Sequence, residues 1–215
     1  ARALRPEESE NYSLGLVFKP WDGVSAALDV YRIDVDNRIA TSTAISGTSY
    51  PGALPLLQSL GYGPADAVSY LLNAANTRNE GVEATVEALG DFGNAGTVRW
   101  TAAAAWTRAE LRGVAPTPAA LAAYDVPVFS RSNANLLLLL SPKSKQVLSA
   151  DWRLGRWSAL LRLTRYGELE RYGIPTGRPA SEEVAYDIGA LWVTDLDIGV
   201  DLAERALEKA QSGLY

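Results

Sequence analysis

Asp195 and Asp197 are the sequence's nearest approach to a catalytic pair, because general acid–base cleavage of a glycosidic bond uses two carboxylates a few ångström apart. Two residues apart on an alternating segment, they fall on one face, as they would on any polar strand face. The remaining inventory is poor. The 215 residues include no Cys and no His, which excludes thiolate nucleophiles, imidazole bases, disulfides and His- or Cys-ligated zinc. There is no G-x-S-x-G, S-x-x-K, phosphate loop or G-x-G-x-x-G; Gly90 to Gly96 has the wrong glycine spacing and reads as a turn. The residues therefore point away from an enzyme, and no catalytic, cofactor-binding, metal or ligand-binding position is assigned.

Composition narrows the class. The chain is 47% hydrophobic and 21% charged with net charge −5. It can bury a core, it is not disordered, and without a basic face nucleic acid is not expected as a partner. No apolar run approaches the roughly 20 residues a helix needs to cross a bilayer, so any spanning falls to strands. The chain begins with Ala and shows no charged-then-apolar leader, and is expected to be mature or excised.

The elements that must position any site alternate with period two. Leu14, Leu16 and Phe18 share one face; Val82, Ala84, Val86 and Ala88 another; then Val98, Trp100, Ala102, Ala104 and Trp106. Leu148 to Leu154, Trp157 to Leu163 and Trp192 to Val200 continue the pattern, with Leu160 and Val193 as apolar residues on polar faces. From Val24 to Asp36 the phase slips near Tyr31, where Leu28 and Val30 give way to Ile33 and Val35, and a β-bulge there is the expected cause.

Connection lengths alternate along the chain. Pro20 to Gly23, Gly90 to Gly96 and Leu154 to Arg156 are short, whereas Asn37 to Asn76, Arg112 to Lys143 and Gly167 to Glu183 are long. Short turns at one end and long loops at the other are the pattern of an outer-membrane barrel. The first long loop predicts a helix over Leu54 to Leu60 ended by Gly61, then another opened by Pro64 with Ala67, Val68, Leu71 and Leu72 as its stripe. The second predicts a helix with Thr117 as N-cap, Pro118 in its first position and Pro127 as its stop. The five leucines Leu136 to Leu140 read as a strand or lid buried on both sides.

Alternation alone fits a soluble sandwich, with the apolar faces on a core, or a barrel, with those faces on hydrocarbon. The segments reach the 9 to 11 residues, approximately, that a tilted spanning strand needs. Tyr12, Trp21, Trp100, Trp106, Trp152, Trp157 and Tyr186 lie where two interfacial girdles would, though core aromatics would account for them too.

At particular residues the chain resembles the C-terminal part of the barrel of TonB-dependent outer-membrane receptors. Leu4-Arg5-Pro6-Glu7-Glu8-Ser9-Glu10-Asn11-Tyr12-Ser13-Leu14-Gly15 is similar to the family's "L-x-P-E-x-S-x-N-x-E-x-G", with Ser13 where Glu is common. Asp29 to Ile39 resembles "D-Y-Y-R-I-D-I-D-D-R-I", and Asn73 to Glu83 resembles "N-A-x-x-x-x-x-G-V-E". Asp151-Trp152, Thr164 to Gly167 and Trp192 to Asp197 continue the match in order, over residues 4 to 201.

The resemblance implies an all-β, antiparallel, up-and-down transmembrane barrel segment of about seven strands from a plugged barrel of about 22. The expected division is 1–201 as partial barrel and 202–215 as an atypical tail, with Leu202 to Ala210 helical. The implied setting is the bacterial outer membrane, with its lipid bilayer as partner. The implied function is active uptake of a scarce small molecule such as a ferric siderophore, energised by TonB through a plug domain absent from this chain. A passive porin-like barrel and a soluble β-sandwich binding module remain the alternatives. In that family, selectivity would lie in loops and mouth, where Tyr50, Tyr62, Tyr70, Tyr124, Phe129, Arg131, Tyr172 and Arg178 could meet a chelate or simply pack. Asp29, Glu83, Glu87, Asp151, Arg153, Arg162, Asp195 and Asp197 would face the lumen and are expected to pair with one another across strands.

Overall fold

The computed structural model describes residues 3–138, 141–175 and 177–202. Seven long strands, β1 (Glu8–Trp21), β2 (Val24–Thr41), β5 (Leu71–Asp91), β6 (Thr97–Val114), β7 (Ser144–Leu154), β8 (Trp157–Tyr166) and β11 (Leu191–Val200), form one antiparallel sheet in that spatial order. They are the seven alternating segments of the sequence, each beside its neighbour in the chain. Two small hairpins stand apart from the sheet: β3 (Ile45–Ser46) with β4 (Ala67–Val68), and β9 (Leu169–Gly173) with β10 (Val184–Ile188). Three short helices, α1 (Leu54–Ser59), α2 (Ala119–Ala122) and α3 (Arg131–Leu138), lie in the long loops. None of them is long and apolar enough to cross a membrane.

The three short connections share one end. Asp22-Gly23 and Gly155-Arg156 are two-residue hairpin loops, and Gly23 and Gly155 take φ of +77° and +51°, where a side chain would clash with the backbone. The long loops 42–70, 115–143 and 167–190 are all at the other end. The buried apolar residues lie there too, in the loops except for Ala74 and Ala75 at the start of β5.

Register determines what each face carries. Phe18, Ala26, Val86, Ala102, Leu148, Leu163 and Thr194 are successive partners across the sheet, and the neighbouring rows on that face are likewise free of charge on β1, β2, β5, β6 and β7, from Leu14 to Trp21 on β1 and Val98 to Trp106 on β6, with Arg165 of β8 the charge met at the long-loop end. The opposite face carries Asp29, Glu83, Glu87, Arg99, Lys145, Asp151, Arg153, Arg162, Asp195 and Asp197. Among the described residues no second layer covers the uncharged face: Leu14 is 74% exposed, Trp21 68% and Ile198 70%. That excludes the sandwich, whose apolar faces must meet each other.

The phase slip at Tyr31 is not a bulge. Pairing of β2 with β5 is unbroken from Val24 to Val35; the irregularity comes later, between Val35 and Arg38, around Asn37 with φ +56°. What changes at Tyr31 is the surroundings. β2, β5 and β6 have 18, 21 and 18 residues against 10 or 11 in β7, β8 and β11. Roughly 9 to 11 residues span a bilayer, so the three long strands continue beyond the apolar band. Past Val30, Val82 and Trp106 the same face bears Arg32, Glu80 and Arg108, then Asp34, Arg78 and Glu110.

Three loop expectations are also corrected. Pro64 opens no helix: Ala67 and Val68 pair with Ser46 and Ile45, and Leu71 already belongs to β5, because these residues find partners in extended form. α2 starts one residue later than expected, with Pro118 in the cap position, since the Thr117 hydroxyl accepts instead from the Val128 amide at 3.1 Å. Leu136 to Leu138 belong to α3, not to a strand; Leu137 packs on a loop core and Leu136 is exposed, and residues 139–140 lie outside the described set. The expected helix over residues 54–60 is present as α1, stopped by Gly61 at φ +85°. The expected tail helix lies almost wholly outside the described residues.

On the charged face, Tyr31 lies over Gly81, leaving no room for a Cβ there, and its hydroxyl meets the Thr107 hydroxyl at 3.4 Å. We expect Gly81→Val to displace the ring and cost about 1–3 kcal/mol in urea unfolding. Adding Tyr31→Ala should recover part of that loss, since the two side chains compete for one space.

Candidate functional site

Three loops converge at the long-loop end. Ile45, Tyr50, Ala53 and Leu57 from loop 42–70 pack with Leu121 and Val126 from loop 115–143, and Ala180 from loop 167–190 rests against them. A second core joins Val128 and Phe129 to Ala74 and Ala75 at the head of β5. Backbone bonds stitch the loops: the Thr43 amide donates to Val128 O at 3.0 Å, and the Ala180 amide to Ser49 O at 2.8 Å. α3 adds side chains, with the Asn133 amide donating to Thr41 O, Asn135 to Glu170 O, both at 3.0 Å, and the Ser132 hydroxyl to Glu183. The loops form one folded cap, held by residues such as Asn133, Asn135 and Glu183 that no local sequence pattern marks.

The anticipated contact residues separate by burial. Tyr50 and Phe129 are core residues, and burial, followed by the Glu183 charge, raises the Tyr50 hydroxyl above the ordinary pKa of 10.0. Arg178 pairs with Glu182 at 3.4 Å. Tyr62, Tyr70 and Tyr124 remain exposed. Arg131 and Tyr172 are brought together, the guanidinium 4.8 Å from the ring centroid. The Tyr172 pKa is raised chiefly by a hydrogen bond with Glu170. A cavity of about 760 Å³ opens between the N-terminal segment and the heads of β5 and β6. Its amides already have structural partners: Asn73 donates to Arg5 O and Asn37 O, and Asn76 accepts from the Asn37 amide. No group of residues suited to a metal ion occurs among the described residues.

The expected lumenal residues all lie on the charged face, but cross-strand pairing among them is not what the geometry shows. Asp29 stands opposite Glu83, a like charge, and Asp195 opposite Arg162 without an ion pair between them; Arg153 with Asp151, along one strand at 3.3 Å, is the ion pair formed within this set among the described residues. Opposite register sets the spacing of the Cα atoms and leaves the charged ends of long side chains free to point apart. Trp21, Trp100, Trp152 and Trp157 mark the short-turn border of the apolar band, and Tyr12 and Trp106 the other. Tyr186 is not in a girdle: it belongs to β10, in the third loop.

The family model described as TonB dependent receptor-like, beta-barrel, matches residues 1–211. The chain belongs to this family. It is accordingly a protein of the bacterial outer membrane. In barrels of that membrane the apolar face meets lipid, the polar face lines the lumen and the long loops lie outside the cell. Three solved structures share the fold. They are the siderophore receptor PirA of Acinetobacter baumannii (16% identity, TM-score 0.54), a mutant of the ferric enterobactin receptor PfeA of Pseudomonas aeruginosa (18%, 0.56) and the ferripyoverdine receptor of the Pseudomonas aeruginosa outer membrane (14%, 0.53). The matches cover 93%, 93% and 94% of this chain but 26%, 24% and 22% of those proteins, so the chain spans about a quarter of their length. No curated protein matches the sequence. The sheet is correspondingly open, with β1 and β11 as its edges.

Proposed function

We propose that the chain is part of an active transporter that takes up a scarce ligand such as a ferric siderophore, energised by TonB acting through a plug domain outside these residues. The observation that carries the reading is the cap. Three loops share one core over the mouth, and Arg131 on Tyr172 offers a cation and an aromatic edge suited to an anionic, ring-bearing chelate. A passive pore has no need of a folded lid, and a transporter of this kind carries out no catalytic step.

The test uses the complete receptor containing this chain. Arg131→Ala should weaken binding of a labelled ferric chelate about tenfold, roughly 1.4 kcal/mol, with the barrel still folded. Collapsing the inner-membrane energy supply should stop uptake and leave binding intact. Non-saturable uptake indifferent to that collapse would establish passive diffusion instead.

A further inference from the structure

We infer that the site at Arg131 and Tyr172 selects its cargo by charge, taking a chelate that presents one anionic ring to Arg131 and is otherwise neutral or cationic. Glu170 and Asp187 repel chelates that carry further negative groups. Selection of this kind presupposes the transport reading above and narrows its class of ligand. Glu170 and Tyr172 are two residues apart on β9 and share one face of the hairpin. Asp187 of β10 stands directly opposite Glu170 in the register, which sets two carboxylates side by side on that face.

Helix α3 holds the hairpin in place. Arg131 and Asn135, one turn apart, are separated by about 6 Å along the helix, close to the two-residue step from Glu170 to Tyr172. The Arg131 guanidinium accordingly sits 4.8 Å from the Tyr172 ring centroid while the buried Asn135 amide donates to Glu170 O at 3.0 Å. Glu183, just before β10, is taken by the Ser132 hydroxyl. The Tyr172 hydroxyl feels the remaining charges. Hydrogen bonding to Glu170 chiefly, and the Asp187 charge to a smaller degree, hold its proton on, and Arg131 acts in the opposite sense.

The charges here do not cancel. The three loops carry seven acidic residues against four basic ones. Of the basic residues, Arg171 falls on the opposite face of the hairpin with Tyr186 as its partner, and Arg178 pairs with Glu182 at 3.4 Å. Lys143 lies at the foot of β7, where its carbonyl accepts from the Thr107 amide at 2.8 Å. Arg131 is left as the cation beside Glu170 and Asp187, and none of these three forms an ion pair among the described residues. One open guanidinium meets one anionic group. A second anion on the same ligand comes within range of the two carboxylates, since charge acts over about 10 Å at 0.1 M salt.

The complete receptor would be offered a ferric chelate bearing one exposed catecholate ring and a side arm that ends in a carboxylate, a carboxamide or an ammonium group. Quenching of tryptophan fluorescence reads the affinity. We expect the ammonium form to bind about tenfold tighter than the carboxylate form at about 0.05 M salt, with the carboxamide between them. Near 1 M salt, where screening leaves a range of about 3 Å, that span should shrink to about twofold. Glu170→Gln/Asp187→Asn should shrink it to about twofold at low salt as well, and each single variant to about fourfold, which keeps the test open should the double variant fail to fold. Asp125→Asn removes a cap charge in another loop and should leave the span unchanged. Equal affinities for the three arms, a span that the hairpin variants or high salt leave intact, or an equal effect of Asp125→Asn would overturn the charge selection alone, because chelate binding would still uphold the transport reading. Failure of all three chelates to bind would overturn both.

Discussion

Ala102→Arg is expected to destabilise the complete barrel by about 2–4 kcal/mol in phospholipid vesicles, while Ala103→Arg, one residue along β6, costs less than about 1 kcal/mol. Ala102 sits mid-row among Val86 and Leu148 on the uncharged face, and Ala103 sits opposite Thr85 and Val147 on the face that carries the lumenal charges. A guanidinium at the first position must enter hydrocarbon or distort the bilayer, whereas at the second it meets a polar interior. Both substitutions have the same volume change and helix- or strand-forming consequence, so only the solvent on each side distinguishes them. Urea titration of vesicle-embedded protein reads the difference directly; equal costs at 102 and 103 would mean that the uncharged face does not meet lipid.

The second large effect concerns the cap. Val126 is 1% exposed and Ala53 0%, and they belong to different loops meeting in one core. Val126→Asp places a carboxylate where no cation is available among the core residues, which costs several kcal/mol of local stability, about 3 or more. No residue of this core belongs to the seven-stranded sheet, so the loss should open the cap and spare the barrel. We expect protease cleavage within residues 42–70 and 115–143, chelate affinity reduced by more than about tenfold, and unchanged urea unfolding of the barrel. A barrel that unfolds together with the cap would show that the two are one cooperative unit.

Both experiments turn on how the chain divides between what is local and what is not. The strands, their order and the sorting of short and long connections are legible in the sequence, because period-two alternation and Gly-containing turns act over a few residues. The opposition of Leu14, Leu16 and Phe18 to Asp29, Glu83 and Asp151 as two kinds of surface is legible for the same reason. The inversion at Tyr31 is visible as well, but its meaning is not. A shift of register and a change of solvent produce the same string of residue types, and only the unbroken pairing from Val24 to Val35 separates them.

The cap shows the converse. α1 is announced by its leucines and Gly61, yet Ala67 and Val68 pair with Ser46 and Ile45, about twenty residues back, and Leu137 packs on a core that includes Ala74 and Ala75 of β5, and a short apolar segment takes whichever conformation its distant partner offers. The gathering of Arg32, Arg78 and Arg112 on Asp34 likewise requires three strands and one bulge in register. Sequence by itself determined which faces are apolar and where the chain turns, since those are properties of neighbouring residues. Tertiary structure decided that nothing covers the apolar face, that three loops share a core, and which charges meet, since contact depends on distance between segments that sequence separation does not encode.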